Sequence, residues 1–137
     1  MKYLFIILLS LTPLLSGGLN WIHSYDKAVA QAKTEQKNIF VFIEAEHCPY
    51  CEQMLEDVLT TKYIANALKH FVPLKLKLNS KDVKTHFSGA FVTPTSYFIT
   101  PEKEPLEEII GYTTEEFFFW KIDAAEAEAK RLGKFKK

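Results

Sequence analysis

The chain has 137 residues, with 17 basic and 17 acidic side chains and a formal net charge of zero. This balance argues against a nucleic-acid-binding protein, which usually presents a strongly basic face. The length is enough for one domain with its own hydrophobic core and too short for two domains of ordinary size.

The first 18 residues have the pattern of a secretory signal. Lys2 provides a basic start, residues 3–15 are mostly apolar, and the small residues Ser16, Gly17 and Gly18 follow. The apolar run is shorter than the roughly 20 residues that a membrane-spanning helix needs. We therefore predict a cleaved signal peptide over 1–18 and one exported domain over 19–137. An uncleaved membrane anchor is the alternative interpretation.

The next two segments predict a helix followed by a buried strand. Residues 24–37 are rich in helix-forming residues, and Ser24 is available as the N-cap. Residues 39–43 form a continuous run of β-branched and aromatic residues. Such a run is typical of a central strand that is buried on both faces.

The only two cysteines of the sequence follow this strand, as Cys48-Pro49-Tyr50-Cys51. A lone pair with this spacing between a strand and a helix is typical of thiol–disulfide exchange. A purely structural disulfide is the alternative in an exported protein. However, closing so small a loop removes little entropy from the unfolded chain, so the bond would stabilise the fold only weakly.

The residues around the first cysteine favour a reactive thiolate. Pro49 suits the first turn of a helix, so Cys48 is predicted at the helix cap, where free N–H groups and the helix dipole favour a negative charge. We assign Cys48 as the nucleophile and Cys51, one turn further on, as the resolving thiol. A protonated His47 would favour the Cys48 thiolate further, although an ordinary exposed histidine is an equal alternative.

The remaining elements alternate between helices and strands. We predict helical segments at 54–59 and 63–68, a strand at 74–78, a short helix or loop at 79–87, and a hairpin of strands at 96–99 and 106–110. This order predicts an α/β sandwich in which a mixed sheet carries helices on both faces.

The last predicted helix is amphipathic. Thr113 and Glu116 are predicted to form a capping box at its start, and apolar residues then recur at helical spacing from Phe118 onwards. Phe117 and Trp120 lie off this apolar stripe. We expect them to pack in the core at the base of the helix, and docking of a partner protein is the alternative.

These motifs together resemble the thioredoxin superfamily. A strand ends at a Cys-Pro-Tyr-Cys helix start, and the dipeptide Thr93-Pro94 comes about 45 residues later, just before another strand. The segment 42–54 is similar to exported bacterial thioredoxin-like proteins, including those associated with sulfur-oxidation systems. The resemblance implies a thioredoxin-like sandwich and a periplasmic thiol–disulfide oxidoreductase.

The resemblance also implies a substrate-contacting wall. In this superfamily a cis-proline faces the active-site disulfide, and Pro94 matches that position, which would let the Thr93 backbone pair with a substrate strand. An ordinary trans proline is the alternative. With Pro49 and Tyr50, these residues are the expected substrate-binding set. We further expect protein thiols and disulfides as substrates, a membrane-bound electron donor, a monomer, and neither a cofactor nor nucleic acid.

The chain departs from the superfamily at one position. Thioredoxins usually carry a buried aspartate six positions before the first cysteine, where this chain has Phe42. Glu44 lies two residues further on and points to the same side of the strand. We hypothesise that Glu44, together with Lys77 of the neighbouring strand, takes the proton-transfer role for Cys51. A solvated carboxylate at the strand end is an equal alternative.

Two other functions stay open at this point. Copper could be handled by Cys48, Cys51 and a histidine, because thiolates are soft ligands. The chain could also be a partner-binding module without redox turnover. Haem attachment would need a histidine directly after Cys51, where Glu52 stands. The four histidines have irregular spacing and do not suggest a structural zinc site, so we predict no metal ligands.

Overall fold

The computed structural model describes residues 18–134. The predicted signal peptide therefore lies outside the described residues except for Gly18, and the last three residues of the predicted domain lie outside them too. None of the helices in the described range is long and apolar enough to cross a membrane.

The described elements alternate along the chain much as predicted. In chain order they are α1 (Tyr25–Glu35), β1 (Asn38–Glu44), α2 (Pro49–Met54), a π-helical turn (Leu55–Leu59), α3 (Lys62–Ala67), a 3₁₀ turn (Leu68–His70), β2 (Phe71–Lys77), α4 (Lys81–His86), β3 (Thr95–Ile99), β4 (Pro105–Ile110) and α5 (Glu115–Arg131). Strand β2 begins earlier than predicted because Phe71 and Val72 already pair with β1.

The four strands form one mixed sheet in the order β2-β1-β3-β4. Strand β1 is parallel to β2 and antiparallel to β3, and β3 pairs with β4 as an antiparallel hairpin. The short segment before α1 extends the sheet beyond β2, because Ile22 forms a parallel bridge with Leu74. The central position of β1 explains its continuous apolar sequence, since helices cover both of its faces.

Alternate residues of β1 contribute to two hydrophobic cores. Phe40 and Phe42 point to the face covered by α2, α3 and α5, and their side chains have no solvent exposure. Ile39, Val41 and Ile43 point to the opposite face, where they pack with residues of α1 and α4. Burying each such side chain contributes about 1.5–3 kcal/mol. The predicted fold class, a mixed sheet with helices on both faces, is confirmed.

Helix α5 differs from its prediction at its start. Its N-cap is Thr114, whose hydroxyl accepts a hydrogen bond from the Phe117 N–H at 3.4 Å. The predicted capping box of Thr113 and Glu116 is therefore wrong by one residue. Because a cap side chain reaches the third helical residue, Thr114 pairs with Phe117, which has no side-chain carboxylate to complete a box.

The predicted burial of Phe117 and Trp120 is also wrong. Their side chains are 42% and 61% exposed, because α5 turns only the face that carries Phe118 and Ile122 towards the sheet. The two rings lie 5.5 Å apart, and the Lys121 ammonium sits over both of them at 5.6 and 5.8 Å. The aromatic pair therefore lies at the protein surface with a cation against it.

Candidate active site

The two cysteines lie where β1 leads into α2, at the carboxyl end of the central strand. Cys48 is the N-cap of α2, and its sulfur accepts a hydrogen bond from the Cys51 N–H at 3.2 Å. Pro49 occupies the first turn, where a missing N–H has no cost. A positive φ of 53° at His47 turns the chain into this cap, and the His47 side chain is exposed.

The two sulfurs are joined in a disulfide with an S–S distance of 2.11 Å and a Cα–Cα distance of 5.2 Å. Cys48 is half-buried, whereas Cys51 is only 2% exposed and packs in the same core as Met54. An attacking partner can therefore reach Cys48 and not Cys51. This asymmetry fits the assignment of Cys48 as nucleophile and Cys51 as resolving thiol.

The loop before β3 brings Thr93 and Pro94 against the disulfide. The peptide bond between these two residues is cis, and Pro94 is buried. The Thr93 hydroxyl donates a hydrogen bond to the Cys48 sulfur at 3.4 Å. The structure thus brings together two segments that are 45 positions apart in the sequence, and it adds a side-chain contact that the sequence did not predict.

Exposed apolar side chains lie on the two segments that meet at the half-buried sulfur. Tyr50 is 62% exposed, and Phe91 and Val92, directly before Thr93, are 82% and 50% exposed. The ring of Tyr112 lies 6.4 Å from that of Tyr50. Sequence reasoning found Tyr50 but missed Phe91, Val92 and Tyr112. The only available signal was that two apolar residues directly precede the Thr-Pro dipeptide.

Glu44 lies at the end of β1 and its side chain is only 12% exposed. Its carboxylate forms an ion pair with the Lys77 ammonium at 2.9 Å, because Glu44 on β1 and Lys77 on β2 stand opposite each other in the sheet. Phe42, at the position of the usual aspartate, is fully buried. Within the described residues Glu44 makes no hydrogen bond to a cysteine, so proton transfer between Glu44 and Cys51 would need a bridging water.

The proposed role of Glu44 can be tested with the variant Glu44→Gln. We expect resolution of a mixed disulfide at neutral pH to slow by about a hundredfold, as is common when a general base is removed. The pH profile of that step should also move to higher pH, because Cys51 would lose its proton acceptor. Stopped-flow measurement of the second client thiol released gives the rate. The matched control is Glu46→Gln, since Glu46 is an exposed carboxylate two residues further on. An unchanged profile in Glu44→Gln contradicts the role.

The sequence predicted no metal ligands. In residues 18–134, no group of three or more histidine, cysteine, aspartate or glutamate side chains is placed to share a metal ion. The two cysteine sulfurs remain the softest potential ligands of the described chain. Metal titration of the reduced protein distinguishes copper handling from simple dithiol exchange.

Several solved structures share this fold. A thioredoxin from Thermus thermophilus aligns with a TM-score of 0.75 and 24% identity, covering 85% of this chain and 93% of its own. A putative disulphide-isomerase from Bacteroides thetaiotaomicron aligns with a TM-score of 0.69 and 23% identity, covering 80% of this chain and 93% of its own. DsbH oxidoreductase aligns with a TM-score of 0.65 and 17% identity, covering 86% of this chain and 91% of its own. At these identities the likeness concerns the fold.

The sequence itself shows the family. Comparison with curated proteins gives no match. A family model described as thioredoxin-like, however, matches residues 20–101, which is more than half of the chain. The matched range contains β1, both cysteines of the disulfide and the Thr93-Pro94 dipeptide. By its sequence and its fold alike, the chain belongs to the thioredoxin-like family.

Proposed function

We propose that the protein is an exported thiol–disulfide oxidoreductase that reduces or exchanges disulfides of periplasmic proteins. The observation that carries this proposal is the Cys48–Cys51 disulfide, with one sulfur partly exposed at a helix cap and the other buried. Thr93 and Pro94 close one side of this site, as expected for a wall that a substrate strand contacts.

The reaction proceeds in two exchange steps. The Cys48 thiolate attacks one sulfur of a client disulfide, forms a mixed disulfide and releases the first client sulfur as a thiolate. Cys51 then loses its proton and attacks the Cys48 sulfur, which releases the second client sulfur and forms the Cys48–Cys51 disulfide. Two electrons pass from the dithiol to the client, and a membrane-bound electron donor restores the dithiol.

The surface around Cys48 supports a protein client. Tyr50, Phe91 and Val92 present apolar area on the two segments that meet at the reactive sulfur, which suits contact with apolar side chains on a polypeptide. The Thr93 hydroxyl contacts that sulfur, and we expect the backbone of the same residue to pair with an extended client segment as a neighbouring strand would.

The direction of electron flow is proposed to be reductive. An exported oxidase usually carries an inserted helical domain, whereas only the short helix α4 and a loop separate β2 from Pro94. Periplasmic export rests on the signal-like sequence of residues 1–18. Fractionation of cells that produce the full chain, with amino-terminal sequencing of the mature protein, tests both export and cleavage.

The proposed function is tested by reduction of insulin with the purified protein and by its redox potential. We expect catalysed insulin precipitation with dithiothreitol as donor and a potential near the roughly −270 mV of thioredoxin. A potential near about −120 mV would indicate an oxidase instead. Absence of any exchange with insulin, glutathione or small disulfides would refute the oxidoreductase proposal. In that case stoichiometric copper binding by the reduced protein would favour metal handling.

A further inference from the structure

A cavity of about 430 Å³ lies at the end of the sheet opposite the disulfide. Its walls come from the residues before α1, the end of α1, helix α3, the 3₁₀ turn and the start of β2. The paired residues Asn38 and Phe71 begin β1 and β2 at this end, whereas Cys48 follows the other end of β1. Since a strand rises about 3.3 Å per residue, the length of β1 separates the cavity from the disulfide by about 20 Å. The volume is in the range of small-molecule sites, about 300–1,000 Å³.

The walls of this cavity are basic. Lys37, Lys62 and Lys69 line it, and Glu35 is the one acidic residue among the lining side chains. The Glu35 carboxylate is already engaged, because it pairs with the Lys37 ammonium at 3.5 Å and accepts a hydrogen bond from the Gln31 amide at 3.2 Å. Within residues 18–134, Lys62 and Lys69 form no ion pair. Two positive charges are therefore in excess, and they attract an anion into the cavity.

The same cavity also has apolar walls and uncommitted amides. Leu68 and Phe71 line it and belong to the hydrophobic core beneath α5, and Leu19 packs against that core. Asn20 and Asn66 line it with exposed side chains, which form no hydrogen bond to any other part of the described chain. A ligand pocket typically combines apolar walls with a few polar groups that fix the orientation of the ligand.

We propose that this cavity binds a small amphiphilic anion, in which a carboxylate or phosphate head is joined to an apolar body. The head pairs with the ammonium groups of Lys62 and Lys69, and the apolar body contacts Leu68 and Phe71. Binding is non-covalent and involves neither cysteine. The inference goes beyond the proposed function and does not depend on it, because the cavity lies at the other end of the sheet.

The ligand class is tested by calorimetric titration of the purified protein with octanoate and with octyl phosphate. We expect one equivalent of at least one of them to bind with a Kd below about 1 mM, and the tighter of the two identifies the head group. Acetate lacks the apolar body and octanamide lacks the charge, so each should bind at least about tenfold more weakly. Saturable binding of neither amphiphile overturns the proposal. Equal affinity for acetate or for octanamide also overturns it.

The position of the site is tested with the double variant Lys62→Gln/Lys69→Gln. We expect it to bind the amphiphile about 25-fold more weakly, at about fivefold for each lost ion pair. The matched control is Lys81→Gln/Lys84→Gln, which removes the same charge from two exposed lysines of α4 that do not line the cavity. Circular dichroism verifies the fold of both variants.

An unchanged affinity in Lys62→Gln/Lys69→Gln overturns the proposed site. Equal losses in the two double variants also overturn it, because net charge alone would then be responsible. Insulin reduction by Lys62→Gln/Lys69→Gln should equal that of the wild type, since the lysines are far from Cys48. A wild-type protein that binds the amphiphile but exchanges no disulfide refutes the proposed function and leaves the cavity site standing.

Discussion

Replacement of Cys48 by serine is expected to abolish disulfide reduction, whereas replacement of Cys51 by serine is expected to trap the client. A serine hydroxyl is not ionised near neutral pH and cannot replace the thiolate as nucleophile. In Cys51→Ser, the half-buried Cys48 still attacks, but no second sulfur is present to release the client. In Cys48→Ser the rate of insulin reduction should fall to that of the uncatalysed reaction. In Cys51→Ser mass spectrometry should detect the covalent adduct with the client.

The trapping experiment has a built-in control in the double variant Cys48→Ser/Cys51→Ser, which should form no adduct. Dithiothreitol should release the client from Cys51→Ser and regenerate a free Cys48 thiol. Turnover that survives in Cys48→Ser would contradict the assignment of Cys48 as the nucleophile, whereas a wild-type protein that binds a client without any turnover would favour a binding module. An adduct on Cys51 in the Cys48→Ser variant would contradict the assigned order of attack, because Cys51 is only 2% exposed.

Truncation of Phe118 is expected to destabilise the domain by about 3–5 kcal/mol, the usual cost of replacing a buried aromatic residue with alanine. Phe118 is fully buried, and its ring lies 5.6 Å from that of Phe40 and 6.0 Å from that of Phe98. Phe118→Ala therefore opens a cavity between α5 and the centre of the sheet. Since domains of this size have a total stability of about 5–15 kcal/mol, the loss is a large fraction of the whole.

Helix α5 also offers a matched control in Trp120→Ala, two residues further on. Trp120 is 61% exposed, its ring lies 5.5 Å from that of Phe117, and the Lys121 ammonium lies 5.8 Å from it. We expect its removal to change the free energy of unfolding by less than about 1 kcal/mol. Urea unfolding followed by circular dichroism measures both variants. Comparable losses in the two variants would show that Trp120 packs in the core and not at the surface.

The parts of the fold that could be predicted depend on local pattern. The run at 39–43 is continuous because β1 has helices on both sides, and the cysteine cap follows from Pro49 next to Cys48. The error at Thr114 arose because Thr113 and Thr114 are adjacent and both suit a cap. A sequence pattern fixes which face of a helix is apolar but leaves its first residue uncertain by one position.

The unpredicted features depend on how distant segments meet. Burial of Phe117 and Trp120 was expected from residue type, but the width of the buried face of α5 is set by how the helix packs on β4. The bond between the Thr93 hydroxyl and Cys48 needs the loop before β3 and the start of α2 to approach across the sheet edge. Neither the width of this buried face nor the contact between the two segments can be predicted from any short stretch of sequence.

The bridge at Ile22 has a consequence for self-association. Its N–H donates to the Pro73 carbonyl at 2.9 Å, and its carbonyl accepts from the Lys75 N–H at 2.8 Å. These groups of β2 would otherwise stand unpaired along an outer strand and could template pairing with a second chain. At the other side of the sheet, β4 carries Pro105 and the exposed carboxylate of Glu108, which discourage such pairing. We therefore expect the residues just before α1 to oppose edge-to-edge pairing of two chains at high protein concentration.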